Sequence, residues 1–258
     1  MEYEFVRVLR EGRLTIVTID RPAAANALHA QAQREMAAVF DAFAADDEQW
    51  VAIVTGAGDR AFCAGHDLKQ QAESGDMFTP ASGFGGLTAR FDCNKPVIAA
   101  VNGVAMGGGC EIVLACDIAV AHERAAFALP EPRVGIAALA GGIQRLPLIV
   151  GARHAMGMLL TGRRVMAQEA LSLGLVNEVT GGDVVDAARA WADQVLACSP
   201  MSVRATKEAV RCAQTVSVQQ ALADEWSYPA MRAMLASEDF REGPQAFAGK
   251  RPPVWCGR

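Results

Sequence analysis

Residues 97–117 read VIAAVNGVAMGGGCEIVLACD. The stretch opens with an uncharged run of Val, Ile and Ala, breaks at Asn102-Gly103, and passes through Gly107-Gly108-Gly109. Ile112, Val113, Ala115 and Cys116 then recur at helical spacing. This order predicts a buried strand, a glycine turn and a helix N-terminus. A helix that starts on glycine presents unpaired backbone N–H groups, and no Cβ blocks their approach to an oxygen that carries or develops negative charge. Glu111 stands in the first turn of that helix. An acid there favours the helix dipole, yet its apolar neighbours predict burial and a raised pKa, the setting of an acid/base group.

Working outward, Asp117 to Ala121 reads as a second strand and Phe127 to Arg133 as a loop. That loop carries Glu131 between two stiffening prolines, in FALPEPRVG, and Gly141-Gly142 opens helical sequence through Val150. Upstream, Val51 to Thr55 is a short buried strand leading into GAGDRAFCAGHDLK, where Ala64-Gly65-His66-Asp67 makes a second passage through glycine. Two converging sets of amides form an oxyanion hole, which stabilises an enolate or a tetrahedral intermediate. Two glutamates near such a hole would divide the roles of base and acid, because close like charges push their pKa values apart.

The flanks complete an α/β pattern. Tyr3 to Arg10 and Arg13 to Ile19 read as a hairpin around Glu11-Gly12, and Leu28, Ala32, Met36, Val39, Phe40 and Phe43 form the stripe of an amphipathic helix. Gln71 to Gly86, with little periodicity, is expected to be irregular and mobile. Alternating strands and helices predict a partly parallel sheet with crossover helices. Toward the C-terminus, Arg153 to Leu173, Asp183 to Leu196, Met201 to Ala213 and Val218 to Ala236 read as helical, with one more strand at Leu175 to Val179 and an exposed aromatic in the tail.

Composition narrows the function classes. The chain has 258 residues, 52% apolar, with a formal net charge of -5, so a disordered chain and a general attraction to nucleic acid or anionic membrane are disfavoured. Seven cysteines without a CxxC pair, among them Cys110, Cys116, Cys198 and Cys212 in apolar surroundings, read as reduced core residues. The N-terminus lacks the basic start and apolar run of a signal peptide, and a soluble, cytoplasmic protein is expected. His29, His66, His122 and His154 lack metal-ligand spacing, and no nucleophile elbow, Walker loop or dinucleotide fingerprint is present.

In this order, RPAAANAL, AFCAGHDLK, NGVAMGGGCEIVLACD, FALPEPRVGI, AGGIQRLP and EGPQAFAGKR resemble the crotonase superfamily, the enoyl-CoA hydratase and isomerase family, over nearly the whole chain. The resemblance implies a spiral of ββα units over residues 1–195, holding the active site, and a C-terminal helical trimerisation region over 196–258. It also implies a trimer or hexamer. Carried over by position, the N–H groups of His66 and Gly108 would hold a thioester carbonyl, and Glu111 and Glu131 would match the two catalytic carboxylates. Cys63, Ala64, Asp67 and Lys69 would line the coenzyme A path, with Lys250 near the phosphates. Coenzyme A would be part of the acyl-CoA substrate, with no separate cofactor, no metal, and neither nucleic acid nor membrane as partner. The implied reaction is reversible addition of water to a 2-enoyl-CoA.

Two positions depart from the family pattern. His66 replaces a small residue, so its side chain either shapes the acyl pocket or folds away, and IAALAGG lacks the Pro-Gly often found before its helix. The ending SEDFREGPQAFAGKRPPVWCGR with FALPEPRVGI looks closest to the carnitinyl-CoA dehydratase branch. Alternatives are such a dehydratase, a double-bond isomerase using only the carboxylate at Glu131, or a non-catalytic acyl-CoA-binding or RNA-binding member.

Overall fold

The computed structural model describes residues 3–76 and 78–258. The expected hairpin is β1 (Val6–Glu11) with β2 (Leu14–Ile19), followed by α1 (Ala30–Ala45), which carries the expected apolar stripe. A repeated unit then builds the body. β3 (Val51–Gly56) and β4 (Ala61–Cys63) lead to α2 (Leu68–Ser74), and β5 (Val97–Val101) and β6 (Val104–Met106) lead to α3 (Gly108–Ala115). β7 (Ile118–His122) and β8 (Ala126–Ala128) lead, through a 3-10 turn at Glu131–Val134, to α4 (Gly142–Val150). After α5 (Ala152–Thr161), β9 (Val165–Met166), α6 (Ala167–Ser172) and β10 (Glu178–Thr180), the remaining elements are helical. They are α7 (Val184–Leu196), α8 (Pro200–Ala213), α9 (Val218–Asp224), α10 (Pro229–Ala236) and α11 (Glu238–Ala248).

In each unit the first strand joins one sheet and the second joins another. The large sheet has the order β1-β2-β3-β5-β7-β10 and is parallel from β2 onward; the small one runs β4-β6-β8-β9. This is the spiral of ββα units that the family resemblance implies. β5 at the centre is apolar throughout because both its faces are covered. Along β5, Val97, Ala99 and Val101 enter the core shared with α1 and α3, while Ile98 and Ala100 meet Val184, Ala188 and Ala192 of α7 on the other face.

Two buried asparagines hold the crossing from one sheet to the other. The Asn102 side-chain amide donates to the carbonyls of Gly56 (2.9 Å) and Gly58 (2.7 Å), and its oxygen accepts from the Gly56 N–H. Asn26, fully buried at a left-handed φ of 56, donates to the Ala57 and Ala61 carbonyls at 3.0 and 2.7 Å and accepts from the Arg21 N–H at 3.0 Å. Asn tolerates that conformation better than Ala, and its loss would remove the side-chain partner of the Arg21 N–H and the Ala57 carbonyl, leaving Ala61 O only its 3.2 Å bond from Asn102. Asn26→Ala is therefore expected to lower stability by about 3 kcal/mol in urea unfolding; a loss well under 1 kcal/mol would contradict this role.

Several expectations change. The central stretch holds an additional strand, β6, between Asn102-Gly103 and the glycines, and the loop read at Phe127 begins as β8. The segment from Gln71 starts inside α2 and ends in a buried 3-10 turn at Phe84–Gly86, where the Gly85 N–H donates to Gln33 Oε1 at 2.7 Å. That end is packed rather than irregular, and Met77 lies outside the described residues. The helix read over Arg153 to Leu173 is two helices with β9 between them, because α5 stops at Gly162 in the left-handed region. The last strand begins at Glu178 rather than Leu175. The helix read over Val218 to Ala236 breaks before Pro229, whose ring disfavours helix at Tyr228.

The tail is ordered as α11 and folds back. Asp239, 3% exposed, accepts from the Ser199 hydroxyl and the Cys256 N–H, and Trp255 Nε1 donates to the Ala197 carbonyl, so the aromatic is half-buried. All seven thiols are free, but Cys198 is exposed rather than in the core. No helix among the described residues is long and apolar enough to cross a membrane.

Candidate active site

The two glycine passages meet. Gly65, at a φ of 93, lies so close to the start of α3 that a Cβ there would be 2.7 Å from the Met106 carbonyl oxygen and 3.2 Å from the Gly108 nitrogen. Gly109 has no room for a Cβ against the Cys63 carbonyl. The loop carrying His66 is fixed from its other side by Leu28, whose N–H donates to Gly65 O (2.8 Å) and whose carbonyl accepts from Asp67 N–H (3.2 Å). Among the described residues, no acceptor within the chain meets the N–H of His66 or of Gly108. Two unpaired amides on touching segments are the arrangement an oxyanion hole requires.

Both glutamates hang over this helix start. Glu111 is 3% exposed and Glu131 8% exposed. Glu131 Oε1 would lie 3.1 Å from a Cβ on Gly107, so it stands directly beside the glycine turn. Glu111 Oε1 accepts from the Gly142 N–H at the start of α4, at 2.9 Å. Oε2 of Glu131 is buried without a hydrogen-bond partner. The two acids are therefore supported unequally, one by a backbone donor and the other by none at its second oxygen.

Burial pushes the Glu111 carboxyl up to about 7, with the nearby Glu131 adding to the rise and the Gly142 amide opposing it. Glu131 is also raised, again chiefly by burial. The ionised form of Glu111 has a hydrogen-bond donor in place, whereas the orphan oxygen of Glu131 favours a proton. Both carboxyls are thus held above the usual carboxylate range, and two raised carboxyls with different hydrogen-bond support are suited to divide the roles of base and acid.

This raises a stability prediction. Native Glu111 holds its proton up to about 7, against 4.5 for a free glutamate side chain, so the folded state binds more protons than the unfolded chain between those values. Stability from this group is full below 4.5, falls as pH rises through that window, and stays low above about 7. Glu111→Gln is expected to be more stable than the parent at pH 8 by on the order of 3 kcal/mol and equal to it at pH 4. Paired unfolding curves check this, and parallel pH dependences in the two proteins would contradict it.

The other expected site residues divide into two groups. Cys63 is buried with its thiol pushed up to about 12, chiefly by burial, and Ala64 donates its N–H to the Ala25 carbonyl, so both shape the loop through backbone. Asp67 caps α2 and pairs with Arg21 at 3.1 Å; burial raises it, but the Gln70 amide and Arg21 bring it below the usual carboxylate range. Lys69 is exposed on α2. Lys250 follows α11, whose main packing is on α8 and α10, so it stands with the helical layer and is not brought to the carboxyl pair. His66 Nε2 is buried without a partner and its ring lies 6.4 Å from Phe84; burial lowers its pKa and keeps the imidazole neutral. Phe84 and Gly142 also belong to the site: Gly141-Gly142 reads in the sequence as a helix entry, but nothing there points to the contact of its amide with Glu111. Among the described residues no group of three His, Cys, Asp or Glu is gathered as metal ligands would be.

Comparison with known proteins shows the family and the fold. The enoyl-CoA hydratase/isomerase family matches residues 10–258. The chain belongs to that family. It is 45% identical to a carnitinyl-CoA dehydratase of Proteus mirabilis, over 96% of each chain, and 44% identical to one of Citrobacter koseri, over 99% of each. Among solved structures it resembles an enoyl-CoA hydratase from Mycobacterium tuberculosis H37Rv at a TM-score of 0.92 with 38% identity, covering 98% of this chain and 99% of that one. A carnitinyl-CoA hydratase from Mycobacterium avium matches at 0.78 with 39% identity over the full length of both. The crotonase fold is thus shared along the whole enzyme, with Glu111, Glu131 and the two glycine passages inside the matched span.

Proposed function

We propose that this family member is a hydro-lyase adding water reversibly to a 2-enoyl-CoA thioester. The observation that carries the reading is the pair of buried, unequally supported carboxyls beside two unpaired amides. The thioester oxygen accepts from the His66 and Gly108 N–H groups, which lowers the energy of the enolate. A water lies between the glutamates. Ionised Glu111 takes a proton from it as its oxygen bonds to C3, and protonated Glu131 delivers its proton to C2. Proton exchange through the second carboxyl oxygens restores the starting state. By the family resemblance an isomerase would use only the carboxylate at Glu131, and the Gly142 amide held to Glu111 favours hydration.

In this reading coenzyme A runs along Cys63, Ala64, Asp67 and Lys69, and no further cofactor takes part. The boundary at residues 195/196 would fall at the last residue of α7, and the helical region after it would serve assembly. Val218, Leu222, Trp226 and Phe247 are 77%, 60%, 64% and 87% exposed there, large apolar side chains that an assembly interface would bury. A trimer or hexamer would cover it and bring Lys250 toward a neighbour's substrate.

The test is turnover of a panel of 2-enoyl-CoA and 3-hydroxyacyl-CoA thioesters. The carnitinyl-CoA dehydratase relatives make crotonobetainyl-CoA the first to try beside crotonyl-CoA. Hydration of at least one member is expected; isomerisation without hydration, or no turnover at all, would overturn the proposal.

A further inference from the structure

Glu111 depends on the Gly142 amide, and Gly142 sits at the start of α4 with only glycine before it. The Gly141 N-cap offers no side chain to cap that helix and has a φ of 103. What fixes this junction comes from inside the helix. Arg145 turns back over it, with Nη1 filling the space where a Cβ on Gly141 would stand, while Glu111 Oε1 fills the space beside Gly142, 3.0 Å from its would-be Cβ. Guanidinium and carboxylate therefore press on adjacent glycines. Nη2 of Arg145 donates to the Thr88 carbonyl at 2.8 Å, which ties the start of α4 to the segment following Phe84.

Among the described residues Arg145 forms no conventional ion pair. Arg90, on that same segment, pairs with Asp41 and Asp92, whereas the carboxyl group that acts on Arg145 is Glu111. Around Glu111, the elements packed on α3 bring few titratable groups. β5, β6 and the Phe84–Gly86 turn bring none, β4 brings the buried Cys63 thiol, α3 itself has the buried Cys110 thiol, the 131–134 turn brings Glu131, and α4 brings Arg145.

We infer that Arg145 is a positioning residue for Glu111: tied to Thr88 and folded over Gly141, it fixes the Gly142 amide against the Glu111 carboxylate and supplies positive charge beside it. This rests on the hydration reading, in which Glu111 works ionised. Without the guanidinium, the carboxylate loses a favourable charge and its support, so it ionises at higher pH. Arg145 also lines an open cavity of about 830 Å³, so a neutral side chain there stays hydrated and the variants are expected to fold.

The experiment follows crotonyl-CoA hydration from pH 5.5 to 9.5 in the parent, Arg145→Gln, Arg145→Met, Arg145→Lys and Glu111→Gln. In Arg145→Gln and Arg145→Met the acid limb of kcat is expected to move up by about one pH unit, so that kcat falls roughly tenfold at pH 6.5 and recovers toward the parent at pH 9, with KM nearly unchanged. Arg145→Lys keeps the charge and is expected to keep the limb in place. A deficit equal at every pH, or a Lys variant displaced as far as the neutral ones, would overturn the inference. Should the neutral variants not fold, Arg145→Lys is read against the parent, and an acid limb moved up by about one pH unit would overturn the inference. If Glu111→Gln hydrates crotonyl-CoA as the parent does, the hydration reading fails instead, which separates the two outcomes.

Discussion

Glu131→Gln is expected to lower kcat for 2-enoyl-CoA hydration by about 10²–10⁴-fold, the range that a positioned acid/base group supplies. The substitution is nearly isosteric, and it removes a carboxyl whose Oε2 is buried without a partner. Folding should therefore tolerate it, with an unchanged or slightly raised Tm, while KM should move little because the proposed coenzyme A path lies elsewhere. Glu111→Gln should produce a loss of similar order, since an amide cannot take the proton from water. The two losses should not add in the double variant, because both carboxyls serve one water. A Glu131→Gln enzyme with activity within threefold of the parent would remove Glu131 from the chemistry, with roughly nothing left for it but packing.

The second large effect concerns the helix start. A Cβ at Gly109 would meet backbone, pressing on the Cys63 carbonyl oxygen and lying 2.7 Å from the carbonyl carbon, and neither side of that contact is a flexible chain end. Gly109→Ala is thus expected to cost about 3 kcal/mol or more, or to prevent folding. At Gly108 the same methyl would meet only the Phe84 ring, at 2.5–2.8 Å, and a ring can tilt away. Gly108→Ala should fold with a loss of about 1–3 kcal/mol, yet lose roughly 10²-fold in kcat because the amide facing the thioester oxygen is displaced. Urea unfolding beside kinetics separates the two, and equal stabilities for both variants would contradict the packing described.

Much of this site was legible in the chain. The strand, glycine turn and helix around Glu111 follow from apolar runs and glycines, which encode local conformation directly. The burial of Glu111 followed from its immediate neighbours. Glu131 was harder: two prolines predicted a stiff loop, but its position beside Gly107 is set by β8 pairing with β6, and three-residue strands carry too few residues to show alternation. Arg145 was invisible for the same kind of reason. Its partners, Thr88 and the Gly141-Gly142 junction, are joined only by tertiary packing. The tail misled because α11 contains Pro244 and few apolar residues, so its order depends on Asp239 and on contacts with the α7–α8 junction.

The most direct test of hydration by the carboxyl pair is to incubate crotonyl-CoA with the enzyme in deuterated water and analyse the product by NMR and mass. The expected product is 3-hydroxybutyryl-CoA carrying solvent deuterium at C2, formed by the parent and not by Glu131→Gln. Deuterium exchange or double-bond migration without oxygen bound at C3, or a hydrated product formed equally by Glu131→Gln, would contradict it.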